Sequence, residues 1–264
     1  YDALCDLATV LDVPREAVSL DGTLALAFGA RGSGQAAAHY ETGRRVINLT
    51  RTSGMGSLAH EWAHALDHWR GTVGAGNPQS TEGVSGWRTR FKTPGSRLPS
   101  LGAEESLAWA SLMQGLHHRP VTREERAAKI EEQADVHQSE IERYRSLIDS
   151  GDYPEHRCGQ FRREMDRRAE MRDRALRLVE ATRAKPVDAD FGEVNTDFLN
   201  EAVNLSGPKG YFSRPNEMLA RAFESWVADS LAAEGRSNAF LVSGTSPAAY
   251  ASQNVKGNPY PGGE

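Results

Sequence analysis

The pattern of hydrophobic and polar positions predicts a chain that begins with one helix and a small sheet. Residues 2–12 have apolar positions at helical spacing, and these share one side of the helix (Ala3, Leu7, Val10 and Leu11). The stretches LALAFGARG and HYETGRRVINLT follow, and their alternation predicts strands joined by a turn at residues 41–43. We therefore expect a small N-terminal sheet directly before the next helix.

The next helix is predicted over SLAHEWAHALDHW, residues 57–69, with Ser53 or Ser57 as its N-cap. Residues 71–100 are rich in Gly, Ser, Thr and Pro, a composition typical of loops, and we expect this segment to border a cleft. A last helix is predicted in RPNEMLARAFESWVADSLAAEG, with Pro215 in its first turn and Gly235 at its end.

Between these elements, two charged helices are predicted over residues 121–149 and from about residue 161 to 184. The first has a narrow apolar seam that steps by four and three (Ile130, Ala134, His137, Ile141, Tyr144 and Ile148). The stretch SGDYPEHRCG interrupts the pattern between them. We expect an antiparallel helical hairpin, residues 121–185, inserted into a single domain that spans residues 1–264.

Composition narrows the class of protein. The chain has 264 residues, a formal charge of -5 and a mean hydropathy of -0.57. No apolar run approaches the roughly 20 residues of a membrane span, and the charge gives no global attraction to nucleic acid. Cys5 and Cys158 lie far apart and form no ligand pair, which favours a reducing, cytoplasmic location. The opening at Tyr1 and the turn-rich end NPYPGGE suggest a fragment of a longer chain.

The clearest chemical signal is HExxH within the helix of residues 57–69. On a helix, His60 and His64 lie one turn apart on one face, so that both imidazoles can bind one zinc ion, with Glu61 beside an attacking water. The alternative is a partly buried helix whose histidines bond to the backbone. His68 lies about 12 Å along the axis from His60, too far to be a ligand of the same ion. We expect it at the surface or supporting a ligand.

The third ligand must come from another helix. Glu217 and Glu224 lie in NEMLARAFESW, which is otherwise largely apolar. A buried carboxylate needs a partner, and a zinc ion is one. The two glutamates are seven residues apart and share a face, so the residues alone leave either as the ligand.

The stretches HEWAHALD and YFSRPNEMLARAF together resemble the gluzincin plan, and more narrowly the lethal-factor-like peptidases. The resemblance implies that Glu217 is the third ligand. It also implies that Tyr211, shortly before this glutamate, helps to stabilise the oxyanion. Glu224 would then steady His60 or His64, or pair with Arg221.

A further resemblance is to the first type of large polyvalent-protein-associated domain, a zincin-like module of long phage and mobile-element proteins. It is carried by AFGARGSGQAAAHYE, VINLTR, GSLAHEWAHALD, YFSRPNEMLARAFESWV and NPYPGGE. The implied fold is α+β and zincin-like, mostly helical, with a small N-terminal sheet and the hairpin as an insertion. The implied location is the cytoplasm of a bacterial host, with delivery alongside phage or mobile-element DNA.

Together these observations predict a zinc-dependent metallopeptidase that hydrolyses peptide bonds by a zinc-activated water, with Glu61 as general base. Asp67, one turn after His64, either orients a ligand imidazole or is an ordinary surface or capping carboxylate. The strand VINLTR is expected to offer its edge to an extended protein or peptide substrate. The sequence does not identify the substrate or the oligomeric state.

Two alternatives remain from other classes. The Arg-rich stretch RCGQFRREMDRRAEMRDRALR favours a nucleic-acid-binding module, although acidic residues interleave with the arginines and aromatic residues are nearly absent. A solvated helix face with i,i+4 ion pairs accounts for this run equally well. The other alternative is a scaffolding module with an inactive zincin fold.

Overall fold

The computed structural model describes residues 1–29, 37–51, 53–76, 83–86, 101–207, 210–246 and 257–261. The chain divides into two units by its internal contacts. The first unit comprises Tyr1–His118 and Asn195–Glu264, and the second comprises Arg119–Val194. Helices and small sheets occur together, so the predicted α+β class is confirmed, whereas the zincin fold stays a prediction.

The N-terminal part of the first unit contains a three-stranded sheet. Helix α1 (Asp2–Val10) and a 3-10 turn (Arg15–Ser19) precede β1 (Ala25–Phe28), β2 (Ala38–Glu41) and β3 (Val46–Leu49). The strand order is β1-β3-β2, with β1 parallel and β2 antiparallel to β3. The predicted strands are confirmed. The expectation that VINLTR offers an edge is wrong, because β3 is paired on both sides and β2 is an edge strand.

Helix α2 (Leu58–Ala75) carries the HExxH residues. Ser57 occupies its N-cap position, but its side chain makes no capping hydrogen bond. Gly76 ends the helix with φ of 61°, a left-handed conformation that glycine adopts without a steric penalty. The predicted loop therefore starts five residues too early, since residues 71–75 continue the helix. Residues 84–86 are helical, and the rest of that loop, residues 77–82 and 87–100, lies outside the described residues.

The remaining elements of the first unit are α3 (Ala103–His117), α6 (Asp197–Ser206) and α7 (Pro215–Ala233). Pro215 stands at the first position of α7, where its fixed φ suits the helix and its missing N–H costs nothing. Gly235, with φ of 68°, follows the end of the helix. The last helix is thus confirmed, with Pro215 at its start and Gly235 just after its end as predicted. Helices α3 and α6 were not predicted.

The core of the first unit packs α2 against the sheet and α7. Leu58, Ala59 and Trp62 on the inner face of α2 belong to one buried cluster with Ile47 of β3 and Val227 of α7. Trp62 also donates its indole N–H to the carbonyl of Val18, 2.9 Å away. This packing holds α2 and α7 side by side, so that side chains from both helices can form one site.

The second unit is a helical hairpin. It contains α4 (Arg123–Asp149) and α5 (Glu155–Arg183), and the strands β4 (His118–Pro120) and β5 (Glu193–Asn195) pair where the chain enters and leaves it. Thr122 and Glu125 form a reciprocal capping box at the start of α4. Two contacts show that the helices run antiparallel. Arg183 pairs with Glu131 near one end of the hairpin, and the rings of Tyr144 and Phe161 contact each other near the other end.

Several charged side chains of the hairpin form ion pairs at its surface. Arg162 pairs with Glu155, Arg168 with Glu140 and Glu164, Arg172 with Asp173, and Arg183 with Glu131. These pairs match a solvated helix face, and they give no support to the nucleic-acid alternative. Among the described residues, no helix is both long enough and apolar enough to cross a membrane.

Candidate metal centre

Three side chains from α2 and α7 converge with their ligand atoms facing one another. The two Nε2 atoms of His60 and His64 are 3.2 Å apart. Glu217 Oε2 lies 3.5 Å from His60 Nε2, and Glu217 Oε1 lies 3.4 Å from His64 Nε2. A tetrahedral ion with bonds of about 2.0–2.1 Å has ligand atoms about 3.4 Å apart. The triangle therefore has the size that such an ion requires.

Helical geometry explains why these three residues meet. His60 and His64 are separated by one turn of α2, and Glu217 lies in the first turn of α7, after Pro215. Their side chains are only 14%, 15% and 8% exposed. Within the described residues, His60, His64 and Glu217 form the group of possible metal ligands whose ligand atoms lie close enough together to bind one ion.

Glu224, two turns further along α7, lies behind His60. Its Oε2 atom is 3.1 Å from His60 Nδ1, the ring nitrogen on the other side from Nε2. A carboxylate in this place fixes the orientation of the imidazole and makes it a better ligand. The distance of Glu224 from the triangle agrees with a supporting residue, whereas Glu217 has its two oxygens directed at both histidines.

Glu61 is buried beside the histidines and is held by the sheet. The backbone N–H of Tyr40, in the edge strand β2, donates to the Glu61 carboxylate. Burial raises the pKa of Glu61 to about 7, although His60 and the Tyr40 N–H oppose this effect. A carboxylate with a pKa near neutrality is suited to accept and return a proton at physiological pH.

The two histidines have opposite electrostatic environments. Burial disfavours the charged form of His60, but hydrogen bonds to Glu217 and Glu224 outweigh burial and raise its pKa to about 9. Burial, together with the neighbouring His60, lowers the pKa of His64 to about 4. Burial favours a raised pKa for Glu217, but the contacts with His60 and His64 outweigh burial and hold the pKa of Glu217 below its usual value.

Three acidic side chains share this buried cluster with one permanent cation. Glu61, Glu217 and Glu224 are 7%, 6% and 4% exposed, and Arg221 is 3% exposed. Burial raises the pKa of Glu61 to about 7, and hydrogen bonds to Glu217 and Glu224 raise the pKa of His60 to about 9. Protonation of Glu61 and His60 therefore balances the charge of the cluster without a metal ion. A divalent cation between His60, His64 and Glu217 would instead favour ionised Glu61 and neutral His60.

Tyr211 lies close to Glu217 but remains half exposed. Its hydroxyl bonds to the Glu217 carboxylate, and burial together with that carboxylate raises the pKa of Tyr211 above its usual range. The phenol therefore stays protonated at neutral pH and can donate a hydrogen bond. The role in oxyanion stabilisation that the resemblance implies for Tyr211 stays a prediction.

Asp67 is buried and makes contacts that differ from the expected ones. It accepts hydrogen bonds from the backbone N–H and the hydroxyl of Ser85, each 2.7 Å long. A Cβ atom on Gly83 would clash with the same carboxylate. Within the described ranges, the hydrogen bonds of Asp67 come from Val84 and Ser85 and not from a ligand imidazole. Asp67 is thus not a surface carboxylate. It anchors residues 83–86 to α2 and accepts from the first backbone N–H groups of the helical residues 84–86, as a capping carboxylate does.

His68 is also buried, at 5% exposure, so the expectation of a surface position is wrong. Its Nδ1 atom lies 2.9 Å from the hydroxyl of Tyr40. Tyr40 therefore bridges two points of α2, with its side chain at His68 and its backbone N–H at Glu61.

Three contacts at this site were missed from the sequence. Arg221 pairs with Glu217 and not with Glu224, at 3.2 Å between Nη2 and Oε2. The i,i+4 spacing of Glu217 and Arg221 is a signal that indicates this pair. The Tyr40 contacts to Glu61 and His68 have no comparable signal, because they depend on how β2 packs against α2.

The geometry defines a class of site before any relative is considered: two histidines and a glutamate of the kind that can hold a metal ion, backed by a carboxylate. Comparison with known families agrees with the resemblance in the sequence. Residues 206–264 match the family model of large polyvalent protein-associated domain 1. The matched segment contains Tyr211, Glu217, Arg221 and Glu224. No curated protein and no solved structure matches the chain.

Proposed function

We propose that this chain is a zinc-dependent metallopeptidase module of a polyvalent protein, with His60, His64 and Glu217 as the zinc ligands. The observation that carries the proposal is the triangle of ligand atoms, whose edges of 3.2–3.5 Å fit a tetrahedral ion. The contact of Glu224 with His60 adds support. The match to large polyvalent protein-associated domain 1 supports the wider context of the module.

When bound, zinc supplies a Lewis acid that acidifies a water molecule and polarises a carbonyl. Glu61 accepts the proton of the attacking water and delivers it to the leaving amine, a role for which its burial and its hydrogen bond from Tyr40 hold it ready. The Tyr211 hydroxyl donates to the oxyanion that forms on the attacked carbonyl, because it stays protonated at neutral pH.

The edge strand β2 is the element that would align an extended peptide. The Thr50 N–H bonds to the carbonyl of Ala37, and Ala38 pairs with Leu49 in the antiparallel register. Because hydrogen-bonded and non-hydrogen-bonded pairs alternate, the backbone groups of Ala38 and Tyr40 point away from β3. The Tyr40 N–H is used by Glu61, and the remaining groups can pair with a substrate strand beside the general base.

Peptide cleavage by the full chain with zinc added tests this proposal, using a library of unfolded peptides and mass spectrometry of new termini. Glu61→Gln removes the base and not a ligand, so it should abolish cleavage while the zinc content stays at the wild-type level. Glu104→Gln, an exposed glutamate on α3, is the matched control and should cleave normally. Equal cleavage by wild type and Glu61→Gln would refute the assigned base.

A further inference from the structure

Arg221 is a buried cation whose contacts all converge on the third ligand and its neighbourhood. Its side chain is only 4% exposed. Nη2 donates to Glu217 Oε2 at 3.2 Å, and Nη1 donates to the carbonyl of Phe212 at 3.1 Å. The guanidinium carbon lies 4.5 Å from the centre of the Phe212 ring and 5.3 Å from that of Tyr211.

The segment that Arg221 contacts is the turn before α7, residues 210–214. The other side of this turn is held by Ser206, whose hydroxyl accepts from the Phe212 N–H at 3.0 Å. A Cβ atom on Gly210 would clash with the carbonyl of Ser206, so the turn passes close to the end of α6. The contact with the Phe212 carbonyl links this turn to α7, beside the bond of the Tyr211 hydroxyl to Glu217.

We propose that Arg221 is a positioning residue that sets Glu217 and the Tyr211-bearing turn in one arrangement. This inference rests on the proposed function. A guanidinium suits this role because its planar fork donates in two fixed directions, one to the carboxylate and one to the carbonyl. The guanidinium also lies over both aromatic rings at distances typical of cation–π contacts. The third ligand and the tyrosine are thus not positioned independently.

The pairing also distinguishes the two oxygens of Glu217. Oε2 receives the hydrogen bond from Arg221 and lies 3.5 Å from His60 Nε2, whereas Oε1 lies 3.4 Å from His64 Nε2. Rotation of the Glu217 carboxylate would break the bond to Arg221, so this bond helps to keep both oxygens directed at the histidines. Its removal would leave the contacts with His60 and Tyr211 to orient the carboxylate before metal binds.

The test uses the full chain with Arg221→Met, which keeps much of the side-chain volume and removes both hydrogen bonds and the charge. Zinc affinity is measured by competition with a chromophoric chelator, and amide hydrogen exchange of residues 210–214 is measured without metal. We expect zinc binding to weaken about 10- to 100-fold, as for other residues that support metal ligands. We also expect faster exchange in residues 210–214.

Arg221→Lys keeps the charge but not the fork, so it should recover part of the zinc affinity and leave the exchange of the turn raised. Arg168→Met, the same change in a partly exposed i,i+4 pair of the hairpin, should alter neither measurement. Since Arg221→Met leaves the Glu217 carboxylate buried without its partner, a second comparison is Glu217→Gln with and without Arg221→Met. There, exchange in the turn should rise only when Arg221 is replaced.

Wild-type zinc affinity together with wild-type exchange in Arg221→Met would overturn the inference. The inference would also be overturned if the amide exchange of residues 210–214 were equal in Glu217→Gln and in the double variant Glu217→Gln, Arg221→Met. A wild-type chain that binds no zinc would instead refute the proposed function, and the exchange measurements would still decide whether Arg221 holds the turn. The two failures are therefore distinguishable.

Discussion

The two units contain the same kind of ion pair in opposite surroundings. Glu217 and Arg221 are four residues apart on α7, with side chains 8% and 4% exposed. Glu164 and Arg168 are four residues apart on α5, with side chains 30% and 27% exposed. The spacing and the residue types are equal, and only the burial and the neighbours differ.

This difference in burial shows when an ion pair indicates a functional site. In the hairpin, both partners are partly exposed and water screens their attraction, so an i,i+4 pair contributes about 0.5 kcal/mol or less. On α7, desolvation makes each charge depend on its partners, and removal of one partner leaves a costly buried charge. The buried pair therefore indicates a site, and the exposed pair indicates a stable, solvated helix surface.

The largest expected effect comes from the buried glutamate that lies nearest both histidines. Glu217→Ala removes a ligand, and a structural zinc site with four ligands contributes about 10–16 kcal/mol, or about 3 kcal/mol for each ligand. Zinc affinity should fall by more than about a hundredfold. Chelator competition measures this change, with Asp229→Ala on the exposed face of α7 as the control.

Replacement of the supporting glutamate should have a smaller effect. Glu224→Ala removes the partner of His60 Nδ1, and such losses weaken metal binding about 10- to 100-fold. The same chelator competition compares it with Glu217→Ala. Release of zinc by Glu224→Ala, with retention by Glu217→Ala, would show that the two glutamates have been assigned in the wrong order.

Loss of a hydrogen bond to the buried Asp67 should cost stability in a pH-dependent way. Burial raises the pKa of Asp67, while the Ser85 hydroxyl and backbone N–H stabilise its charged form. Ser85→Ala should lower the free energy of unfolding by about 1.5 kcal/mol at pH 7, because the lost bond is to a charged group.

The sign of this effect follows from the ionisation of Asp67. Below the ordinary pKa of an aspartate, the carboxyl is protonated in both the folded and the unfolded chain, so the loss in Ser85→Ala should shrink near pH 3.5. Urea unfolding at the two pH values measures it, with Ser139→Ala of the hairpin as the control. A loss that grows toward low pH would contradict the account.

The smallest effect is expected at the partly exposed pair. Arg168→Met should change the free energy of unfolding by no more than about 1 kcal/mol, because the side chains of its two carboxylate partners are 31% and 30% exposed. Urea unfolding of the full chain, compared with Arg221→Met, provides the measurement. A cost at Arg168 as large as that at Arg221 would remove the distinction between the two units.

Local patterns were sufficient for much of the fold and for the centre of the site. The relation of His60 to His64 follows from helix geometry alone, and Pro215 and Gly235 mark the ends of α7. The two helices of the hairpin could be predicted because both charged stretches are long and the first has an apolar seam at helical spacing. By contrast, α3 was missed because its apolar residues do not share one face, and Leu107 and Leu112 are exposed.

Tertiary contacts were the part that the sequence could not predict. Nothing near His68 indicates that it meets Tyr40, or that the Tyr40 N–H reaches Glu61, since both contacts depend on the packing of β2 on α2. The anchoring of residues 83–86 by Asp67 likewise joins segments separated by a loop. The sequence identified ligand candidates, whereas the structure was needed to find what holds them.

The most direct test of the central claim is the zinc content of the full chain after zinc loading and dialysis, measured by mass spectrometry of the metal. The account predicts one zinc ion per chain for the wild type. It predicts none for the His60→Ala, His64→Ala double variant, because two of the three ligands are lost. A wild type without zinc, or a double variant that retains one ion per chain, would contradict it.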